Sequence, residues 1–407
     1  MRDLPFAARH GAAPVSRRRA TQLLAGMAGA VGVGLLPLRN ARATELPPSS
    51  EPPLKALASS KGMRVGNAMG ITRNETDARL RFQDPGYRAL MARECDAIVA
   101  ENETKWQYLQ PRQGEFNFGP ADEMFAWAKK EGMLLRGHTL VWQTPKWLPD
   151  WVNAHDFGLQ PSREAERLLR QHIGTVCQHF GDAIASYDVV NEAVDPSSGE
   201  LRANVLNKHM GGDAVAQIDL AFRLAREHAP RAQLVYNDFM HWDGPNHRAG
   251  VLKLLQALKG RGTPVQALGL QSHIAVDNQP AATRAQRLRE WRKFLDEVSG
   301  MGLDLLITEF DVNDRKLPAD VPARDAAVAA EARDYLDLTL SYPRLRDFML
   351  WGMADHVSWL QGWKDSARTD GLPQRCTPFD EQLRAKPLRA AIADALRAMP
   401  MREAARA

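Results

Sequence analysis

The sequence of 407 residues predicts a single catalytic domain with the fold of a (β/α)8 barrel, the TIM barrel. Eight short apolar runs, each typical of a parallel strand buried on both faces, alternate with amphipathic helical patterns. A polar or aromatic residue lies at or just beyond the end of every run, at the rim where such barrels build their active sites. A doubly wound open sheet is the alternative, but no glycine-rich phosphate-binding turn follows the first run.

The predicted strands follow one another at regular intervals from residue 63 to residue 350. They cover residues 63–68, 97–100, 133–136, 184–190, 233–236, 265–270, 303–308 and 348–350. Apolar residues with a helical period lie between them, at 121–130, 163–179, 213–228, 248–259 and 284–300. We place the catalytic domain at residues 61–400, after a Pro/Ser-rich spacer (44–60) that we expect to be extended, and before a short tail (401–407).

The composition excludes several classes of protein. Hydrophobic residues make up 44% and charged residues 25%, which is typical of a soluble globular chain. Residues 1–43 hold seven arginines against one aspartate, and removing this +6 from the formal +4 leaves −2 for residues 44–407. A nucleic-acid-binding role therefore has no electrostatic support. The three cysteines are too few and too widely spaced for a disulfide framework or a metal site, so we expect buried thiols.

Residues 1–43 have the order of an export signal. Arg17, Arg18 and Arg19 form a twin-arginine type start, and a mildly apolar run follows at 23–36. This run is shorter than the about 20 residues needed to span a bilayer, and the cleavage pattern Ala-Arg-Ala ends at residue 43. An amphipathic or buried N-terminal helix is the alternative. We expect an exported protein, periplasmic or extracellular, with no stable membrane association after cleavage.

Two of the predicted strand ends carry a glutamate flanked by strongly apolar strand sequence, Glu192 after the fourth strand and Glu309 after the seventh. Strands four and seven lie across one barrel mouth, and two opposed carboxylates are what glycosidic bond cleavage requires. Either glutamate alone could instead belong to a salt bridge at the rim. In chain order the strand ends carry Asn67; Glu101, Asn102 and Lys105; His138 and Trp142; Asn191 and Glu192; Asn237 and Asp238; Gln271 and His273; Glu309 and Asp311; and Trp351.

Several motifs together resemble glycoside hydrolase family ten, the retaining endo-1,4-β-xylanases. They are Asp-Val-Val-Asn-Glu at 188–192, Arg-Gly-His-Thr-Leu-Val-Trp at 136–142, Gln-Ser-His at 271–273 and Ile-Thr-Glu at 307–309. The segments 101–106 and 351–359 match the family's second and last barrel segments. The matches run in order from about residue 63 to 363, and the segments at 136–142 and 271–273 are the specific ones.

The resemblance implies a role for each matched residue near the reacting bond. Glu192 would be the general acid/base and Glu309 the nucleophile that forms a covalent xylosyl-enzyme. Asn191 would hold the substrate 2-hydroxyl, and His273 would bond to Glu309 and Asp311 and keep the nucleophile ionised. The spacing supports this arrangement independently, because residues 309 and 311 are i and i+2 on a strand and face the same way.

The resemblance also implies a substrate-binding surface. Polar side chains would bind hydroxyls on the non-reducing side of the cut, and aromatic rings would stack on pyranose rings. These residues are Glu101, Asn102, Lys105, His138 and Gln271, with Trp142, Trp351, Trp359 and Phe239. By resemblance, Trp359 crowds the position of a glucose hydroxymethyl and so favours xylose. The chain departs from the family at Phe239, where tyrosine is common, and at 143–145, where Gln-Thr-Pro replaces His-Ser-Gln and a distal sugar contact is expected to be missing.

We therefore expect a secreted retaining endo-1,4-β-xylanase that needs no metal and no cofactor. Its partners would be xylan or xylo-oligosaccharides, with no nucleic acid, and its oligomeric state is left open. A retaining β-1,4-glucanase or related barrel glycosidase is the nearest alternative. A non-catalytic carbohydrate-binding barrel is more remote, because it requires loss of a catalytic carboxylate and both glutamates are present.

Overall fold

The structure is a computed structural model, and it describes residues 51–71, 81–242, 244–277 and 279–402. The predicted export signal and most of the predicted spacer, residues 1–50, lie outside the described residues, as do residues 403–407 of the tail. In the part of the chain that is described, no helix combines the length and the apolar character needed to cross a membrane.

Eight parallel strands close into a barrel, which confirms the predicted fold. The first six strands pair in chain order, and the β6–β8, β8–β9 and β9–β1 pairings complete the ring. A ninth strand, β7, is short and pairs with the outer part of β8, where His273 lies opposite Asp311. The strands are β1 Arg64–Met69, β2 Ala97–Ala100, β3 Leu134–Trp142, β4 Ile184–Asn191, β5 Gln233–Asp238, β6 Ala267–Leu270, β7 His273–Ala275, β8 Asp304–Asn313 and β9 Leu345–Leu350.

Helices surround the barrel and bury one apolar face each against the strands. In α6, apolar residues recur with the helical period, and Leu169, Ile173 and Val176 are buried. Each fully buried aliphatic side chain of this kind contributes about 1.5–3 kcal/mol relative to exposure. The helices are α1 Leu54–Ser59, α2 Pro85–Glu94, α3 Trp106–Leu109, α4 Gly119–Lys130, α5 Asp150–Asn153, α6 Pro161–Phe180, α7 Val205–His209, α8 Ala214–His228, α9 Pro245–Gly260, α10 Ala281–Gly300, α11 Val321–Thr339 and α12 Pro387–Ala398.

The end of the predicted spacer is helical rather than extended. Helix α1 occupies residues 54–59, with Leu54 and Ala58 fully buried. The Leu54 backbone N–H donates to Glu94 Oε2 at 2.9 Å, and this links the segment to α2. The expectation of an extended spacer is therefore wrong for residues 54–59, because two apolar side chains spaced one helical turn apart pack into the core. Residues 54–59 thus pack against the described domain.

The inside of the barrel is filled by a second set of strand residues. Val235, Ala267 and Leu306 form a small buried cluster of their own, whereas their neighbours along the same strands pack with the helices. Gly269 of β6 leaves room for Asn237, because a Cβ at this position would lie 2.2 Å from Asn237 Oδ1. The barrel interior is thus shaped around a polar side chain that reaches the mouth.

Candidate active site

The two predicted catalytic glutamates belong to one hydrogen-bond network at the carboxyl ends of the strands. Asn237 Nδ2 donates to Glu309 Oε1 at 2.8 Å and to Asn191 Oδ1 at 2.9 Å. Gln271 Nε2 donates to the same Asn191 oxygen at 3.2 Å and to Glu192 Oε1 at 3.1 Å. Residues from β4, β5, β6 and β8 therefore meet at one place, as the barrel topology predicts.

Glu309 lies in β8 and is only 5% exposed. Its Oε2 is 3.2 Å from His273 Nε2, and its Oε1 is 4.0 Å from His138 Nδ1. Burial alone would raise the pKa of this carboxyl, but the charges of His138 and His273 and the hydrogen bonds from His273 and Asn237 bring it down to about 2. Glu309 is therefore ionised at neutral pH, as an attacking carboxylate must be.

His273 connects Glu309 to Asp311. Its Nδ1 lies 3.0 Å from Asp311 Oδ2, so one imidazole bonds to two carboxylates through its two nitrogens. Burial would lower the pKa of His273, but Asp311 and Glu309 raise it to about 10. The Trp359 indole N–H donates to the same Asp311 oxygen at 2.7 Å. The predicted contacts of His273 are thus present, and an imidazolium is held against the carboxylate of Glu309.

Glu192 follows β4 directly and has a positive φ of 55°. Its backbone N–H donates to Asn237 O at 2.9 Å, which fixes this turn over the end of β5. Burial, and then the charge of Asp238, raise the pKa of Glu192, and Glu309 adds to this, while Gln271 and Trp142 act in the opposite direction. The Trp142 indole N–H makes no hydrogen bond of normal geometry to any described residue.

His138 is buried below the mouth and faces carboxylates. Its Nδ1 is 2.9 Å from Asp188 Oδ2, and Arg136 Nη2 donates to the other Asp188 oxygen at 2.7 Å. His138 is only 2% exposed, and its strongest described partners are Asp188 and Glu309. His138 thus lies beside both Asp188 and Glu309, and its predicted sugar contact stays a prediction.

The residues after β2 form a polar cluster beside Trp142. Glu101 Oε2 accepts from Arg81 at 2.6 Å, and Lys105 Nζ donates to Asn102 Oδ1 at 3.0 Å. The same Lys105 nitrogen lies 4.8 Å from the centre of the Trp142 ring. Burial lowers the pKa of Lys105, although nearby glutamates, Glu309 first among them, oppose this effect. Lys105 therefore contacts Asn102 and Trp142 at one edge of the site, whereas Glu101 pairs with Arg81.

The aromatic residues predicted to bind sugars differ in how much surface they offer. Trp351 is only 7% exposed and packs in a small cluster at the barrel mouth, 5.3 Å from the His138 ring. Trp359 is partly buried, 5.0 Å from His273, and Trp142 is partly buried as well. Phe239 is half-buried beside His247. Trp351 is thus the predicted platform with the least open ring face.

Residues 143–145, where the chain differs from the family motif, begin with a buried glutamine side chain. Gln143 is fully buried, and its Nε2 donates to Gln217 Oε1 of α8 at 2.8 Å. Its side chain therefore packs against a helix, and the expected loss of a distal sugar contact stays a prediction.

Three residues of the site were not among the predicted site residues. Asn237 and Asp238 were noted at the end of the fifth strand, but nothing in the sequence indicated that they contact Glu309 and act on Glu192, respectively. Asp188 lies within the motif at 188–192, in β4. Its pairing with His138 depends on the register of β3 against β4, which sets these two residues side by side.

Comparisons with known proteins agree with this geometry. The sequence profile of glycosyl hydrolase family 10 matches residues 53–395. A β-1,4-xylanase of Dictyoglomus thermophilum is 31% identical over 297 residues, which cover 70% of this chain and 78% of that protein. Xylanase 10B of Thermotoga maritima is similar in structure, with a TM-score of 0.73 and 29% identity over 84% of this chain and 98% of that one.

A second solved structure, xylanase 10B of Thermotoga petrophila in complex with xylobiose, gives a TM-score of 0.74 at 28% identity and covers 86% of this chain and 98% of that one. The family profile spans nearly the whole described part of the chain, and it confirms the resemblance carried by the motifs. The chain belongs to glycosyl hydrolase family 10 and is a glycoside hydrolase.

Proposed function

We propose that this protein is a retaining endo-1,4-β-xylanase in which Glu309 is the nucleophile and Glu192 the general acid/base. The observation that carries the proposal is the opposite electrostatic setting of two carboxyls in one hydrogen-bond network. Cationic and amide groups favour the ionised form of Glu309, while burial and Asp238 favour the protonated form of Glu192. Double displacement needs this division between an attacking carboxylate and a proton-donating carboxylic acid.

In the first step, a Glu309 oxygen attacks the anomeric carbon while Glu192 gives its proton to the departing glycosidic oxygen. The bond from carbon to that oxygen breaks, the xylosyl group is esterified to Glu309, and Glu192 is left ionised. In the second step, Glu192 takes a proton from water, the hydroxide attacks the same carbon, and the Glu309 carboxylate departs. The sugar keeps its configuration because two inversions occur.

Asn191 is suited to hold the 2-hydroxyl of the reacting sugar. Its Oδ1 accepts from Asn237 and Gln271, which fixes the orientation of the amide. Its Nδ2 is buried and has no hydrogen-bond partner among the described residues. A donor that is fixed and unsatisfied beside the nucleophile would gain a bond from a substrate hydroxyl, and removing such a bond costs about 1–3 kcal/mol.

Xylan is the substrate class that the relatives support. The proteins similar to this chain include xylanases, one of them solved with xylobiose. We also infer export to the periplasm or the cell exterior from the twin-arginine type segment at 1–43. N-terminal sequencing of the secreted protein would give a start at Thr44 if the segment is cleaved as proposed.

The proposal is tested by comparing Glu309→Ala and Glu192→Ala on xylan and on an activated aryl xylobioside. Glu309→Ala removes the attacking carboxylate, so turnover of both substrates should fall by about 10⁴-fold or more. Glu192→Ala should lose about 10²–10⁴-fold on xylan. It should still release the activated aryl group rapidly and then accumulate the covalent intermediate. Glu166→Ala, which changes an exposed glutamate of α6, is the matched control and should leave both activities unchanged.

Azide separates the two roles by stereochemistry. In Glu192→Ala, azide should attack the accumulated intermediate and give a β-xylosyl azide with net retention. In Glu309→Ala, azide can only replace the missing nucleophile, so any azide product should have inverted configuration. Retained product from Glu309→Ala, or full activity of Glu192→Ala on xylan, would reject the assignment.

A further inference from the structure

A residue in an uncommon backbone conformation separates two side chains of the site. Ser272 lies between the ends of β6 and β7, is buried, and has a positive φ of 65°, which residues other than glycine rarely adopt. On one side of it, Gln271 donates to Glu192 at 3.1 Å. On the other side, His273 lies 3.2 Å from Glu309. Such a conformation persists only where its surroundings hold it, so the contacts of Ser272 affect the direction of both neighbours.

The side chain of Ser272 is bonded to helix α11. Its hydroxyl donates to the carbonyl oxygen of Leu270 at 3.0 Å, and its oxygen lies 2.7 Å from the Tyr335 hydroxyl. A serine hydroxyl has a single proton, and Leu270 accepts it, so the Tyr335 hydroxyl is the donor of the second bond. A tyrosine from a surrounding helix thus fixes the side chain of the left-handed residue.

The ring of the same tyrosine packs against β8, the strand that carries the proposed nucleophile. The Tyr335 ring is buried and stacks on Phe310, with centroids 6.2 Å apart and planes 25° apart. Phe310 lies between Glu309 and Asp311, which both face His273, so its own ring points the opposite way, into the core beneath the helices. Tyr335 therefore contacts the central residue of the segment 309–311 with its ring and the central residue of the segment 271–273 with its hydroxyl.

The surroundings of Tyr335 leave its ring little freedom to move. Trp242 meets it edge-on with centroids 5.2 Å apart, and Trp291 lies 5.8 Å away. The Arg287 guanidinium lies 3.7 Å from the centre of the Trp242 ring and pairs with Glu331 of α11 at 2.7 Å. Close packing of this kind keeps a side chain in one arrangement, so the Tyr335 hydroxyl has a fixed position.

We propose that Tyr335 is a positioning residue for the reaction, which holds the segment 271–273 against β8 through its contacts with Ser272 and Phe310. Its hydroxyl keeps Ser272 in the left-handed conformation, and this directs the next side chain, an imidazole, to Glu309. Tyr335 makes no contact of its own with either proposed catalytic glutamate and acts through these neighbours. The inference rests on the proposed function, because its effect on turnover appears through Glu309.

The first test removes only the Tyr335 hydroxyl. Tyr335→Phe keeps the ring, so kcat on an aryl xylobioside with a poor leaving group should fall about tenfold, while KM changes less than about twofold, because small displacements of a catalytic group are costly. Ser272→Ala removes the other partner and should cause a similar loss. The double variant should lose no more than the larger single loss, because both changes break the same hydrogen bond.

The matched control is Tyr342→Phe, which removes another partly buried tyrosine hydroxyl. This hydroxyl donates to Asp296 at 2.6 Å, and the residue lies just before the start of β9, at the end of the barrel opposite the mouth. Tyr342→Phe should lower the melting temperature by a similar amount and leave kcat unchanged. An equal fall of kcat in this control would show that lost stability alone explains the effect, and it would overturn the inference.

The imidazole protons of His273 report its position independently of turnover. Its two ring nitrogens lie 3.0 Å from Asp311 and 3.2 Å from Glu309, so its N–H signals should lie far downfield and exchange slowly with water. His273→Gln identifies these signals by their loss. In Tyr335→Phe their exchange should be at least about fivefold faster, because the segment opens locally more often, and in Tyr342→Phe it should be unchanged.

The two measurements distinguish failure of this inference from failure of the proposed function. If the exchange becomes faster but kcat does not fall, the proposed support of Glu309 by His273 fails, and the inference fails with it. If neither changes, or if kcat falls without faster exchange, Tyr335 does not position His273, and the inference alone is overturned. Should Tyr335→Phe fail to fold, Ser272→Ala breaks the same bond, and its kcat must fall.

Discussion

The ends of β4 and β8 carry the same side chain in opposite surroundings. At β8, Glu309 lies inside a continuing strand and is contacted by His273 and by the amide of Asn237. At β4, Glu192 lies just past the strand in a left-handed turn, with the Gln271 amide as its hydrogen-bond donor and Asp238 nearby. The pKa of Glu309 is lowered to about 2, and that of Glu192 is raised. Two glutamates thus acquire different chemistry from their neighbours alone.

The difference shows that burial does not decide the protonation state of a site carboxyl. Desolvation is the largest influence on both glutamates and acts in the same direction on each, toward the protonated form. What separates them is the sign of the nearest charges, imidazolium for Glu309 and carboxylate for Glu192. Substitutions that change those charges should therefore change catalysis more than substitutions that change burial.

The largest effect is expected when the surroundings of Glu309 are made like those of Glu192. Asn237→Asp is nearly isosteric, but it replaces the Nδ2 donor with an oxygen that faces Glu309 Oε1 and Asn191 Oδ1. Two carboxylates in contact cannot both ionise, so the acidic limb of kcat/KM should rise by about two pH units and the plateau should fall about 10²–10³-fold. The pH profile on an aryl xylobioside measures both changes.

The control for this substitution is Asn246→Asp, which adds a charge at an exposed position of α9 and should leave the profile unchanged. An acidic limb that stays in place in Asn237→Asp would contradict the view that the Asn237 amide helps to keep Glu309 ionised.

A smaller effect is expected when the imidazolium beside Glu309 is removed. His273→Gln keeps hydrogen-bonding atoms near Glu309 and Asp311 but loses the positive charge, so the acidic limb of kcat/KM should rise by about one pH unit.

The pH dependence of folding stability offers an independent measurement of the charge on His273. The pKa of His273 is about 10 in the folded protein against an ordinary 6.5, so its contribution to folding is complete below pH 6.5 and is lost as pH rises through about 10.

The melting temperature of His273→Gln should accordingly fall furthest below the parent near pH 6, and the two should converge toward pH 10. A difference that stays constant across this range would mean that His273 contributes by packing alone. An acidic limb that does not move would mean that its charge has no effect on Glu309.

The sequence predicted the barrel well because its signal is local and repeated. Short apolar runs such as 97–100 became fully buried strands, and polar residues at strand ends, such as Asn237 and Glu309, meet at the mouth. The pair Glu309 and Asp311 was predictable from strand alternation, and the motif at 271–273 placed His273 near them. These predictions needed only the period of a strand and the order of strands in a barrel.

The parts that were missed depend on contacts between distant segments. The pairing of His138 with Asp188 was missed because strand register, which brings the two residues together, cannot be read from a single strand. The effect of Asp238 on the pKa of Glu192 depends on the left-handed turn after β4, which no sequence pattern indicated. The contact of His247 with Asp238 depends on how helix α9 is rotated about its axis, and the hydrophobic pattern defines that rotation only approximately. Helix α1 was missed because its apolar residues follow a proline-rich segment that indicated an extended chain.

The smallest effect is expected at Trp359, which contacts residues of the Glu309 surroundings. Its indole N–H donates to Asp311 at 2.7 Å, and its ring lies 5.0 Å from that of His273. Trp359→Phe keeps an aromatic face, removes the donor and shortens the ring. KM for an aryl xylobioside should rise about 3–10-fold, the size of one lost hydrogen bond, with a smaller change in kcat. The ratio of cellobioside to xylobioside kcat/KM should rise a few-fold, because the smaller ring leaves room for a hydroxymethyl group. Trp363→Phe, at the exposed neighbour 5.6 Å away, should leave that ratio unchanged. A ratio that rises in Trp363→Phe and not in Trp359→Phe would show that Trp359 does not discriminate between xylose and glucose. The difference between Glu309 and Glu192 would then account for the reaction but not for the choice of sugar.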